Sequence, residues 1–129
     1  MSYTIRNLRD VPDMAKKFGH SDSQEAHFAH KELGAETVGF SFQVVKPGKR
    51  QAFAHRHEQA EEIYVVIAGS GRVKLDDEAQ EVRALDAIRI APGVVRTFEA
   101  GDEGLELIVF GPRHEGEVEI ITEDVWGDA

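Results

Sequence analysis

From residue 37 onward the chain is a series of short apolar stretches, each closed by turn-forming residues, and that rhythm limits the folds open to it. Val38, Phe40, Phe42 and Val44 alternate with Thr37, Gly39, Ser41 and Gln43, the period of a half-buried strand. Pro47-Gly48 breaks it. Further strand-like stretches are expected at residues 51–57, 62–68, 72–75, 80–83, 86–90, 96–99 and 105–110. Between them Gly69-Ser70-Gly71, Asp76-Asp77, Ala91-Pro92-Gly93, residues 101–104 and Gly111-Pro112 supply the positive or fixed φ angles of tight reversals, and Gly69-Ser70-Gly71 reads as a hairpin turn. No helical pattern of about 10–15 residues separates the strands, so a βαβ arrangement is disfavoured and an all-β sandwich or barrel is predicted.

The chain has 129 residues, enough for one domain with a sizeable core. The expected organisation is an N-terminal arm over residues 1–36, a barrel over 37–110 and an acidic C-terminal segment over 111–129. Asp10, Pro12 and Gly19 mark one short helix around residues 12–18 of the arm. The formal charge of −9 is concentrated at the C-terminal end: residues 1–100 carry 15 acids and 14 bases, residues 101–129 carry 9 acids and the single base Arg113. Alternating Glu115, Glu117 and Glu119 read as a solvated sheet edge that repels foreign strands. No basic run exists to bind nucleic acid, so RNA and DNA are not expected partners.

Cysteine is absent, which removes disulfides, thiolate nucleophiles and Cys-based metal sites and leaves histidine, serine and carboxylates to carry chemistry. The first ten residues lack an apolar signal region, and the longest apolar run, residues 63–68, is too short to cross a bilayer. A cytoplasmic protein without membrane contact is expected.

His55 and His57 lie one residue apart within a strand-like stretch. On a strand, positions i and i+2 share a face with side chains about 7 Å apart, so two imidazoles can converge on one point; on a helix they would diverge. Glu62 follows at the start of the next strand and can return beside them. Two imidazoles and one carboxylate form a ligand set suited to Fe, Mn, Ni or Zn with open coordination positions.

The stretch from Gly48 through His55, His57 and Glu62 to Gly69 resembles the first signature motif of the cupin superfamily, with six residues rather than five between Gly48 and His55. Residues 85–100 resemble the second motif, with departures. Leu85 stands for a glycine, Ala91 for a proline, Ala100 for an asparagine, and Arg96 for the histidine that completes the family's metal site. The resemblance covers residues 37–110. It implies a double-stranded β-helix barrel, commonly a homodimer, with the site inside; strands with both parities apolar, such as residues 63–67, agree with a need for cover on both faces.

Arg96 sets two alternatives, since a guanidinium has no lone pair for a metal. At about 6 Å from a divalent ion it would impose roughly 5 kcal/mol of repulsion at an effective dielectric of about 20. An inward Arg96 therefore replaces the metal as the counter-charge of Glu62, giving a metal-free binding or structural module. An Arg96 leaning toward the barrel mouth instead becomes a bidentate clamp for a carboxylate ligand beside a metal-loaded triad.

By parity, Tyr64 and Val66 join Glu62, Phe53 joins the histidines and Phe98 joins Arg96, so that Phe53, Tyr64 and Phe98 are expected to line an apolar pocket around the ligand. His20, His27, His30 and His114 read as surface or structural residues, one of which is available as a fourth ligand. Trp126 reads as an anchor for the tail. The leading expectation is a barrel that binds a small anionic molecule with a divalent metal and no organic cofactor, and, if an enzyme, one of dioxygenase, isomerase or lyase type. A weaker third reading makes His55 or His57 a metal-independent general base for an isomerase.

Overall fold

In the computed structural model, residues 2–114 and 116–127 are described. Eight strands form one antiparallel sheet: β1 (Gln24–Phe28), β2 (Val38–Val45), β3 (Ala54–His57), β4 (Glu62–Leu75), β5 (Glu78–Arg83), β6 (Ala87–Ile90), β7 (Arg96–Pro112) and β8 (Val118–Ile121). The order β1-β2-β7-β3-β8 runs along one path, while β4 joins β7 and also pairs with β5 and β6. The all-β expectation is met. The only helices among the described residues are short: a 3-10 turn at Leu8–Asp10, α1 (Met14–Lys17) and α2 (His30–Leu33). None is long and apolar enough to cross a membrane.

Two expected turns do not form. Gly69-Ser70-Gly71 lies inside β4, and residues 101–104 lie inside β7; the two long strands stay paired from Ile63↔Phe110 to Leu75↔Arg96, with register shifts between Val66 and Ala68 and between Gly69 and Gly71. The glycines are there for close approach. A Cβ on Gly69 would stand 1.9 Å from the Gly104 carbonyl oxygen, and one on Gly71 would stand 2.0 Å from that of Glu99. Small residues therefore let both strands cross closely around a bulge, where residues 101–104 fall between the pairs Gly69↔Leu105 and Gly71↔Ala100, and a motif read by turn propensity alone mistakes this for a reversal. True reversals occur at Asp76, with φ 51°, and at Leu85, with φ 74°. Leu85 thus adopts the backbone conformation that glycine adopts without strain, and its side chain is exposed.

The N-terminal arm is built into the sheet. Asp13 caps α1 by accepting from the Ala15 amide at 2.9 Å, and the same oxygen accepts from the Ala26 amide at 2.9 Å, so one carboxylate joins the helix to β1. Strand β1, Gln-Glu-Ala-His-Phe, lacks an apolar alternation and was not expected from the sequence; it pairs along β2 from Gln24↔Val45 to Phe28↔Ser41. The C-terminal segment likewise contributes β8, which pairs with β3 from Ala54↔Ile121 to His57↔Val118. Trp126 anchors its end, with Arg50 and Arg72 stacked at 4.7 and 4.9 Å from its ring. The core packs Val45, Tyr64, Val66, Val73, Phe98, Leu105, Leu107 and Val109 between the curled halves of the sheet. Each such side chain contributes about 1.5–3 kcal/mol of apolar burial.

Candidate metal centre and cavity

Strand β3 places His55 and His57 on one face, and β4 opens with Glu62 beside them. The structure brings all three together: one donor atom from each lies within 4.8 Å of the others. His55 Nε2 is 3.8 Å from Glu62 Oε1, and His57 Nε2 is 3.2 Å from Glu62 Oε2. The two imidazoles meet edge-on, with ring centroids 5.2 Å apart. Tyr64 donates its hydroxyl to Glu62 Oε1 at 3.1 Å.

One partner was missed in the sequence. Glu117, expected on a solvated edge, is buried; its Oε1 accepts from His57 Nδ1 at 2.7 Å, and its Oε2 accepts from the amides of Gln59 at 2.6 Å and Ala60 at 3.2 Å. The alternation argument holds only for its neighbour Glu119, which is exposed and bonded to Arg56; Glu115 lies outside the described residues. By taking Nδ1, Glu117 turns Nε2 of His57 toward Glu62, the arrangement that orients a metal-ligating imidazole. A His paired to a glutamate across two strands leaves no signal in a one-dimensional pattern.

The charges follow from this packing. Burial pushes the Glu62 carboxyl upward, but the adjacent imidazoles of His55 and His57 outweigh it and hold the group far below the usual carboxylate range. Burial lowers His55 despite its Glu62 contact, whereas the closer Glu62 carboxylate raises His57. Burial raises Tyr64 well above its ordinary value, so its hydroxyl stays a donor.

Arg96 makes neither of the expected contacts. It lies opposite His55 in the β3–β7 register, is fully buried, and all three of its guanidinium nitrogens lack a hydrogen-bond partner. It does not pair with Glu62, whose oxygens are already engaged by the two histidines and Tyr64, and it does not reach the mouth. Its charge still acts on the site, lowering His55 and opposing the rise at His57.

The triad opens onto a cavity of about 700 Å³. Phe53 and Tyr64 line it as expected. Phe98 and Val66 do not; Phe98 packs behind Tyr64, ring centroids 5.0 Å apart, in the core. Met14, Phe18 and Phe28 of the arm complete the apolar wall. His20, edge-on to Phe53, and His30 and His114 also face the cavity, while His27 is a buried structural residue; none joins the triad as a fourth ligand among the described residues.

These residues fit a divalent ion in donor type and convergence. Two imidazole nitrogens and a carboxylate kept ionised face one point, one imidazole is oriented from behind, and the face toward the cavity is open. The buried guanidinium is the one feature that opposes the fit.

A cupin-domain family model matches residues 41–111. Among solved structures, a cupin protein from Bacteroides fragilis superposes with TM-score 0.68 at 24% identity, covering 92% of this chain and 90% of that one. A polyketide cyclase from Streptomyces resistomycificus gives TM-score 0.72 at 21% identity, covering 97% and 88%. The Streptomyces protein PAC13, described as a nucleoside dehydratase, gives TM-score 0.73 at 14% identity in a uridine-bound variant, covering 95% and 93%. These likenesses show a shared double-stranded β-helix fold. No curated protein matches the sequence at a significant level.

Proposed function

The chain belongs to the cupin family, and from that premise we propose that it binds a small, partly apolar, anionic molecule in the cavity beside a divalent metal held by His55, His57 and Glu62. The observation that carries this reading is the convergence of three donor atoms within 4.8 Å on the wall of that cavity. Held by these three residues, a metal would supply Lewis-acid polarisation of a ligand oxygen. The protein's own groups do the rest. Glu117 fixes the orientation of His57, Tyr64 holds Glu62 by its hydroxyl, Phe53 and the arm residues exclude water, and the buried Arg96 biases the site toward negative ligands through its field.

The ligand set suits dioxygenase, isomerase or lyase chemistry. Related folds serve a nucleoside dehydratase, a polyketide cyclase and a protein described as a sugar phosphate isomerase, which agrees with polarised carbonyl or hydroxyl groups as the reacting function. The competing metal-free reading has one supporting observation, the cation at Arg96, and lacks the Arg96–Glu62 contact on which it was built. We also propose a homodimer, for which exposed Val38, Ile67 and Ile120 offer apolar cover; light scattering that shows only monomer at micromolar concentration contradicts it.

The test is metal content. Protein purified without a histidine tag and supplied with Fe, Mn, Ni or Zn is expected to retain about one equivalent by plasma mass spectrometry, and Glu62→Ala to retain little. Sub-stoichiometric metal in the parent protein after every supplement overturns the reading.

A further inference from the structure

The cavity has a second polar wall, away from the triad's own ligands, formed by Ser41 and Gln43 on β2, Gln24 on β1 and Gln51 on the loop before β3. The orientation of its amides is fixed by what they touch. The Phe98 backbone N–H donates to Gln51 Oε1 at 3.0 Å, and the Ala52 backbone N–H donates to Gln24 Oε1 at 2.5 Å. A backbone N–H can only donate, so both amides must present oxygen to the backbone and nitrogen away from it.

The constraint then propagates. Gln51 Nε2 donates to Gln43 Oε1 at 3.1 Å, so Gln43 must turn its own nitrogen onward, and that nitrogen donates to Ser41 Oγ at 3.1 Å. Ser41 Oγ thereby accepts one hydrogen bond and keeps its O–H to give. Among the described residues, neither that hydroxyl nor Gln24 Nε2 has an acceptor, and Gln43 and Gln51 each retain one unused N–H. Four side chains on one cavity wall are thus all polarised as donors, though each type could equally accept.

We propose that this wall is a binding subsite for the hydrogen-bond-accepting oxygen of a neutral carbonyl group on the ligand. No cation stands within the row itself, so it matches a neutral acceptor better than a carboxylate, which gains most from a charged donor. The aromatic side chains Phe53 and Phe28 in the same cavity suit an apolar or aromatic body attached to that carbonyl. The inference shares with the proposed function only the premise that the cavity is the ligand site, and it does not require a metal.

The experiment uses metal-free full-length protein and two probes of similar shape: acetophenone, which carries an acceptor oxygen, and ethylbenzene, which carries none. Acetophenone is expected to shift the side-chain amide NMR signals of Gln24, Gln43 and Gln51, and ethylbenzene to leave them in place. Gln43→Leu and, separately, Ser41→Ala are expected to reduce the preference for acetophenone over ethylbenzene about five- to tenfold, the scale of one lost hydrogen bond. Equal amide shifts with both probes, or an unchanged preference in both variants, overturns the proposal, and the NMR comparison decides it even where a variant fails to fold. Metal uptake by separately supplemented protein distinguishes the two readings. An acetophenone preference in protein that takes up no metal under any supplement sinks only the triad, and full metal uptake by protein that shows no such preference when metal-free sinks only the donor wall.

Discussion

Glu117 accepts a hydrogen bond from His57 at 2.7 Å, joining residues 60 positions apart in the chain. The contact forms because β8 lies against β3 and brings the acidic segment over the back of the site. It makes the C-terminal segment part of the support of the His55, His57 and Glu62 cluster.

Glu117→Ala is therefore expected to lower metal affinity about 10–100-fold, the usual effect of removing a ligand's hydrogen-bonded support. It also leaves the amides of Gln59 and Ala60 without their acceptor, at a folding cost of about 1–3 kcal/mol. Competition with a chromogenic chelator measures the first effect and urea unfolding the second. An unchanged affinity removes Glu117 from the site.

Arg96 carries an unpaired buried charge, which is unfavourable for folding. Arg96→Met keeps much of the volume and deletes the charge, so the metal-free protein is expected to gain about 1–4 kcal/mol in urea unfolding. Arg96→His removes the repulsion and adds a donor, with metal affinity expected to rise at least about tenfold. A strongly destabilised Arg96→Met shows that the guanidinium is satisfied in solution.

His27 stacks on Phe42 and hydrogen-bonds through Nδ1 with the Val11 carbonyl and through Nε2 with Glu25, tying the arm to the sheet. Burial alone lowers its proton affinity, but Glu25, the Val11 carbonyl and Asp13 together raise it above the ordinary 6.5. A raised value means that protonation stabilises the fold. This contribution is complete below about pH 6.5 and disappears as pH rises through the higher folded-state value. Urea midpoints measured between about pH 5 and 9 are expected to fall across that window, and His27→Phe, which keeps the stacking, to flatten the change. A slope that survives in His27→Phe assigns it to another group.

Gly69 and Gly93 both have positive φ, yet they are expected to tolerate alanine differently. At Gly93 no atom lies within 4 Å of the added carbon, so the cost is the backbone strain alone, about 1–2 kcal/mol. At Gly69 the carbon meets a carbonyl on β7 and must also push the strands apart. Thermal unfolding should show Gly69→Ala to be the more damaging by at least about 2 kcal/mol. Equal losses would mean that the strand crossing is not tight.

Legibility followed the range of each interaction. The periodicity of residues 38–44 and the His-x-His spacing act over a few residues, so strand identity and a shared face for His55 and His57 were readable. Strand β1 was not, because its polar sequence is held by β2 and by the Asp13 carboxylate rather than by its own pattern. Gly69 and Gly71 were misread because turns and close strand crossings ask for the same residue.

The sequence by itself determined the all-β class and the shared face of His55 and His57, since both depend on strand geometry that two-residue periodicity dictates. The family and the place of Glu62 beside the histidines came from the resemblance of the motif and the short loop between the two strands. Tertiary structure alone decided that Glu117 supports His57, that Arg96 is buried without a partner, that Phe98 sits in the core, and that four polar side chains face the cavity as donors. Those features depend on which backbone atoms and strands come to lie beside each residue, and chain spacing does not encode that when the partners are dozens of residues apart.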